Sequence, residues 1–268
     1  MSTPNRIESC FATLRAKKAK AFIPYICAGD PTLDKTVELS LALEKAGADI
    51  LELGLPFSDP LADGLVNQLA SQRALAAGAT VRGVLQTVRT IRQTSQIPIV
   101  LYTYLNPIVQ FGWDEFHAAA AEAGVDGLLI LDLPPEEDTT SGDDRIVHVR
   151  LVAPTTPPER MKQIAAKARG FIYYVSREGV TGVREGVSAS LPEQVKMLRQ
   201  VTDLPIAVGF GISTPDQARA VAETADGVVV GSAIVSKIAE FGQAGDLIAR
   251  VSEFVRPIAE AVKALSVN

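Results

Sequence analysis

Ala46-Gly47-Ala48-Asp49-Ile50-Leu51-Glu52-Leu53-Gly54 closes an amphipathic segment and runs straight into an apolar one. The passage recurs as Ala123-Gly124-Val125-Asp126 and as Thr224-Ala225-Asp226-Gly227, each time before a stretch rich in Val, Ile or Leu. Glycine just past a helix end supplies the left-handed conformation that stops the helix. A short apolar run beyond it reads as a strand buried on both faces.

Working outward from these passages, such runs occupy 21–27, 49–53, 97–104, 126–133, 146–152, 171–176, 205–209 and 226–230. Segments with helical spacing lie between them. Leu33, Val37 and Leu41 form one stripe, Val84, Val88 and Ile91 another, and Leu191, Val195 and Leu198 a third behind Ser190. Strands that alternate with helices imply a parallel sheet with crossover helices. Eight units in 268 residues favour a single (β/α)₈ TIM barrel, α/β in class, with residues 1–268 as one domain. An open doubly wound sheet is the alternative. It is weakened because Ala28-Gly29-Asp30-Pro31 after the first strand is a plain turn and not a glycine fingerprint. Ile7, Phe11 and Leu14 add an N-terminal helix packed on the domain.

The fourth crossover departs from the pattern. Pro134-Pro135-Glu136-Glu137-Asp138 opens like a helix, but Thr139-Thr140-Ser141-Gly142-Asp143-Asp144 breaks it. The crossover helix is expected to be short or absent, and the region 138–150 to be irregular. His148, Arg150 and Val152 share one face of the next strand, and this reading turns that face inward. Then either the strand register shifts, or His148 and Arg150 meet carboxylates such as Asp132 or reach water at the barrel end.

Composition narrows the function. A net charge of -5 argues against a nucleic-acid partner. No apolar run reaches membrane-spanning length, and the N-terminus lacks a signal-peptide core. Cys10 and Cys27 read as reduced thiols, and the two histidines, with no H-x-x-H or C-x-x-C, make a zinc site unexpected. The chain reads as cytoplasmic.

Barrel chemistry sits at the C-terminal strand ends. Alternation puts Leu51 and Leu53 under the helices and Glu52 in the barrel mouth. There, Glu52 is either satisfied by backbone or a tyrosine, or it is a general acid/base with a raised pKa. The next loop, Pro56-Phe57-Ser58-Asp59-Pro60-Leu61-Ala62-Asp63-Gly64, carries Asp59 as a turn former. It also brings Asp63 within reach of the same pocket. Gly209-Phe210-Gly211-Ile212-Ser213 and Gly231-Ser232-Ala233 follow the last two strands, where barrels often bind phosphate at helix starts. Ser213 or Thr214 can cap one such helix, and Ser232 opens an extra short one at the strand-8 phosphate site. Ser176-Arg177-Glu178-Gly179-Val180-Thr181-Gly182 reads as a lid or as a long surface loop.

These motifs, with Ala28-Gly29-Asp30-Pro31 and Gly231-Ser232-Ala233-Ile234-Val235, run in the order of the tryptophan synthase alpha subunit family, which the chain closely resembles. The resemblance implies retro-aldol cleavage of indole-3-glycerol phosphate to indole and glyceraldehyde 3-phosphate. It makes Glu52 the acid/base and Asp63 the partner of the indole nitrogen. Tyr25, Tyr104 and Val152 would wall the indole site, Tyr173 would position Glu52 or substrate, and Thr181 would close over Asp63. Gly182, Phe210, Gly211, Gly231 and Ser232 would hold the phosphate. It further implies an α₂β₂ complex with a pyridoxal-phosphate-dependent beta subunit, the alpha chain needing no cofactor of its own. Two departures stand out. Leu65 occupies a position that is usually proline, and the fourth crossover is shorter than usual. A standalone lyase that releases free indole is the nearest alternative. A sugar-phosphate isomerase or epimerase would want a histidine, lysine or metal at a strand end, and a purely regulatory subunit would not need both Glu52 and Asp63.

Overall fold

The computed structural model describes residues 5–137, 144–175, 190–209, 211–242 and 244–264. Eight strands close on themselves in sequence order: β1 Ala21–Cys27, β2 Leu51–Gly54, β3 Ile99–Thr103, β4 Gly127–Ile130, β5 Val147–Val152, β6 Ile172–Val175, β7 Ile206–Gly209 and β8 Gly227–Val230. Every neighbouring pair is parallel, including β8 with β1, so no edge is left open. The closed (β/α)₈ barrel excludes the doubly wound alternative.

The period of two sorts the strand residues into layers. Ala21, Ile23, Val100, Leu129, Val147, Val149, Tyr173, Ala207 and Val229 form an interior cluster. Their neighbours, among them Leu51, Leu53, Leu101, Leu128, Ile130, Ile172 and Val228, pack outward under the helices. The first helix, α1 (Arg6–Ala16), starts on an Asn5 cap and places Ile7 and Phe11 in the interior cluster. Phe11 stacks obliquely on Phe171 with ring centroids 5.5 Å apart, so α1 plugs the end of the barrel away from the strand C-termini.

The recurring aspartate has a definite task. Asp49 Oδ2 accepts the Phe22 N–H at 2.8 Å, Asp126 Oδ2 that of Ile99 at 2.8 Å, and Asp226 Oδ2 that of Ile206 at 2.9 Å. Each carboxylate therefore ties the entrance of one strand to that of the strand before it. Gly47 (φ +114°) and Gly124 (φ +94°) adopt the left-handed conformation expected past a helix end. The third copy differs, because Gly227 lies inside β8 and a right-handed Glu223 ends that helix.

The remaining helices ring the barrel: α2 Leu33–Lys45, α3 Leu65–Ala76, α4 Val81–Arg92, α5 Leu105–Phe111, α6 Trp113–Ala123, α7 Pro158–Lys167, α8 Leu191–Arg199, α9 Pro215–Ala222, α10 Ser232–Phe241 and α11 Leu247–Lys263. α10 is the extra short helix after β8. In the fourth crossover the described residues hold one 3₁₀ turn, Pro135–Glu137, whose Glu136 pairs with Arg160 of α7. Residues 138–143 lie outside the described residues.

The orientation expected for β5 is reversed. Val147 and Val149 belong to the interior, with Leu151 packed against them, whereas Val152 belongs to the outer layer. By the same alternation, His148 and Arg150 face outward. His148 meets α6: its Nε2 lies 3.2 Å from His117 Nε2, with the two rings nearly parallel (6°). His117 Nδ1 is 2.7 Å from the Trp113 carbonyl oxygen, which makes it the protonated nitrogen. Asp132, the expected partner, instead accepts the Leu105 N–H at 2.7 Å at the start of α5. β5 itself is a regular strand paired on both sides, so within the stretch 138–150 expected to be irregular, 147–150 is regular.

Candidate active site

Glu52 is the inward position of β2 that follows Ile50, level with Tyr25 on β1 and Val100 on β3. It is 1% exposed, and its Oε1 has no hydrogen-bond partner among the described residues. Burial disfavours the carboxylate and the Asp63 charge disfavours it further, so its pKa rises to about 8. At neutral pH the side chain is mostly the neutral acid, with a proton to give.

Asp63 reaches the same space from the loop between β2 and α3. A turn closed by its N–H on the Pro60 carbonyl (3.0 Å) and the Gln68 amide on its own carbonyl (2.8 Å) fix its backbone. Its carboxylate is held from both sides. Tyr102 donates to Oδ1 at 2.8 Å and Tyr104 to Oδ2 at 2.9 Å. Burial raises the Asp63 pKa, and these hydroxyl donors, with Asn67, pull it back down.

Tyr25, on β1 next to β2, and Tyr173, on β6 across the barrel, are both buried inside it. Burial, reinforced by the carboxylates, holds both phenols well above their ordinary pKa. Two glycines make room for them: a Cβ on Gly54 would overlap the Tyr25 hydroxyl, and one on Gly209 the Tyr173 hydroxyl. Tyr104 serves mainly to hold the Asp63 loop, since its hydroxyl also accepts the Ala62 N–H at 3.0 Å. Val152 is not part of this interior; Leu151 takes the inward position beside it. Tyr102 escaped the sequence reading, although its two-residue spacing from Val100 put it on the inward face.

The two expected phosphate loops are not equivalent. After β7, the α9 start is already capped. Thr214 Oγ1 accepts the Gln217 N–H at 3.3 Å, and Gln217 Oε1 accepts the N–H groups of Ser213 (2.9 Å) and Thr214 (3.3 Å). After β8, Gly231 precedes α10 with no side-chain cap, and Ser232 is the first helical residue. The Ile234 N–H already bonds the Gly231 carbonyl at 2.8 Å, so of the first turn the Ser232 and Ala233 N–H groups are the candidates to face an anion. Gly211, in a left-handed turn (φ +79°), lies between β7 and the start of α9. Thr181, Gly182 and Phe210 lie outside the described residues, as does the rest of the 176–189 loop. Among the described residues, no group of three or more His, Cys, Asp or Glu side chains could hold a metal ion, and no helix is long and apolar enough to cross a membrane.

The parallel eight-stranded closed barrel is a TIM barrel, and it holds an interacting pair of buried carboxylates, Glu52 and Asp63. Residues 11–263 match the family model described as tryptophan synthase alpha chain. The tryptophan synthase alpha chain of Opitutus terrae is 55% identical over 88% of this chain and 90% of its own length. That of Geobacter sulfurreducens is 50% identical over 96% and 99%. Among solved structures, tryptophan synthase subunit alpha from Legionella pneumophila superposes with a TM-score of 0.84 at 40% identity, covering 97% of this chain and 99% of that one. A chain of Mycobacterium tuberculosis tryptophan synthase gives 0.88 at 35% identity, with 97% and 99% covered. The chain belongs to the tryptophan synthase alpha chain family. It is a lyase of tryptophan biosynthesis, and the isomerase and epimerase readings are set aside.

Proposed function

We propose that residues 1–268 work as one catalytic domain in which Glu52 and Asp63 divide the cleavage of indole-3-glycerol phosphate between them. Breaking the bond between indole C3 and the glycerol chain requires C3 to become tetrahedral. Glu52, neutral at physiological pH, donates its proton to C3. Positive charge then develops at the ring nitrogen, whose N–H the Asp63 carboxylate accepts. As the carbon–carbon bond breaks, its electrons restore the indole ring. The adjacent hydroxyl loses its proton to the Glu52 carboxylate and becomes the aldehyde of glyceraldehyde 3-phosphate. Each proton transfer contributes roughly 10²–10⁴-fold. Charge stabilisation by a fixed carboxylate adds to that.

The observation that carries this reading is the unpaired Glu52 Oε1, buried on the interior face beside a carboxylate that two tyrosines hold in place. Tyr25 and Tyr173 wall the indole. Gly211, Gly231 and Ser232 take the phosphate, and Thr181, Gly182 and Phe210 keep the roles that the resemblance gives them. The chain needs no cofactor of its own.

Its partner is a pyridoxal-phosphate-dependent beta subunit in an α₂β₂ complex, in the cytoplasm. Leu61 (89% exposed), Leu65 (68%), Leu69 and Val109 support this, because they leave apolar surface on the rim that carries Asp63. The test is indole release from indole-3-glycerol phosphate, with and without a beta subunit. Release that is faster in the complex is expected. No glyceraldehyde 3-phosphate under either condition would overturn the assignment.

A further inference from the structure

We propose that Tyr102 is a positioning residue of the reaction: its hydroxyl, donated to Asp63 Oδ1, fixes both the aim and the charge of that carboxylate. This rests on reading Asp63 as the group that faces the indole nitrogen. β3 carries Tyr102 on its inward face, between Gly54 of β2 and Leu129 of β4 in register. The ring meets Tyr25 edge-on, with centroids 5.1 Å apart at 67°, so the hydroxyl is aimed by packing on a rigid strand. Tyr104, by contrast, immediately precedes α5, and its hydroxyl ties Asp63 to its own loop through Ala62. Asp63 thus has one anchor on the barrel wall and one on the rim.

The arrangement has an electrostatic consequence. A hydrogen bond to a carboxylate favours its ionised form, and a charge-assisted bond is stronger than a neutral one. The Asp63 charge in turn holds the proton on Glu52. Removing the Tyr102 hydroxyl therefore weakens the charge at the nitrogen and the proton affinity of the acid together. Because the nitrogen becomes positive only along the reaction, the loss falls on kcat more than on KM.

Tyr102→Phe keeps the ring, its contact with Tyr25 and the strand packing. The experiment measures kcat, KM and pH–rate profiles with indole-3-glycerol phosphate for Tyr102→Phe, Asp63→Asn and the double variant. A carbon-13 NMR titration follows the Asp63 carboxyl in the wild type and in Tyr102→Phe. The expected result is a kcat about tenfold lower in Tyr102→Phe with little change in KM. The acid limb and the Asp63 titration should both move to higher pH, and the Tyr102 substitution should have no further effect in the Asp63→Asn background. Near-normal turnover in Asp63→Asn alone would sink the reading of Asp63. An unmoved Asp63 titration in Tyr102→Phe, or an equal loss of kcat in both backgrounds, would sink the role of Tyr102 while leaving Asp63 in place.

Discussion

Arg92 Nη2 donates to Asp126 Oδ2 at 2.8 Å, and the same oxygen accepts the Ile99 N–H at the entrance to β3. Arg6 reaches the other oxygen at 2.7 Å from α1. One carboxylate thus joins the end of α4, the entry of β3 and the N-terminal plug. Arg92 is further sewn to the carbonyls of Gly124 and Ile97. Asp126→Ala strands a buried guanidinium and a buried N–H. The expected loss is about 3 kcal/mol of stability, read by urea unfolding. A loss no larger than that of an exposed ion pair would show that the junction relaxes around the gap.

The repeated Asp was legible as a motif but its task was not, because a sequence does not show which distant N–H a carboxylate will meet. The alternation of strands and helices, the inward Glu52 and the existence of α1 as a helix packed on the domain were legible in periodicity, since burial on one side of a strand or helix leaves a strict pattern; that α1 plugs the barrel end was not. β5 failed for a related reason. The alternation was started on the wrong face there, with Val152 turned inward, and a one-residue error in facing moves every side chain to the other side of a strand. His148 and Arg150 then looked like polar residues in a core, when they face outward, His148 against α6. Tyr102 was missed because two tyrosines at this spacing look equally placed, and only the loop bearing Asp63 decides what each one touches. The choice between the two phosphate loops turns on whether Gln217 folds back on Thr214, which spacing alone does not settle.

Glu52→Gln should lose nearly all turnover, by roughly 10²-fold or more, because an amide cannot carry the proton. It should also be the more stable protein as pH rises. The folded-state pKa of Glu52, about 8, lies above its ordinary 4.5, so the folded chain binds more protons than the unfolded chain between those values. Stability tied to this group is present below pH 4.5 and is lost as pH rises towards 8. The amide variant escapes that loss. Unfolding midpoints of wild type and variant that stay parallel across the window would show that Glu52 titrates normally.

Ser232→Asp puts a negative charge at the first position of α10, where the uncapped N–H groups face the proposed phosphate site. A carboxylate is favourable at a helix start, so the variant should fold at least as well as the parent. Its affinity for indole-3-glycerol phosphate should fall at least about tenfold through charge repulsion. Inhibition by inorganic phosphate should weaken in parallel. Unaltered KM and phosphate inhibition would place the phosphate away from α10. Ser213→Asp, at the already capped α9, should have the smaller effect of the two.

His148 sits where α6 covers β5, its ring stacked on His117 and its Nδ1 3.5 Å from the Arg150 guanidinium. Burial, with His117 and Arg169 adding positive charge, lowers its pKa from 6.5 to about 4. Between those values the unfolded chain takes up a proton that the folded chain refuses. Stability is therefore lost as pH falls through this window and is retained above it. His148→Phe keeps an aromatic ring against His117 but cannot titrate. It should be somewhat less stable than the parent near neutrality, having lost the Nε2 contact to His117, and should lose less on acidification. Urea midpoints at about pH 7 and about pH 5 measure this for both proteins. Equal drops in the two would assign the acid sensitivity to other groups and leave the histidine stack without a part in it.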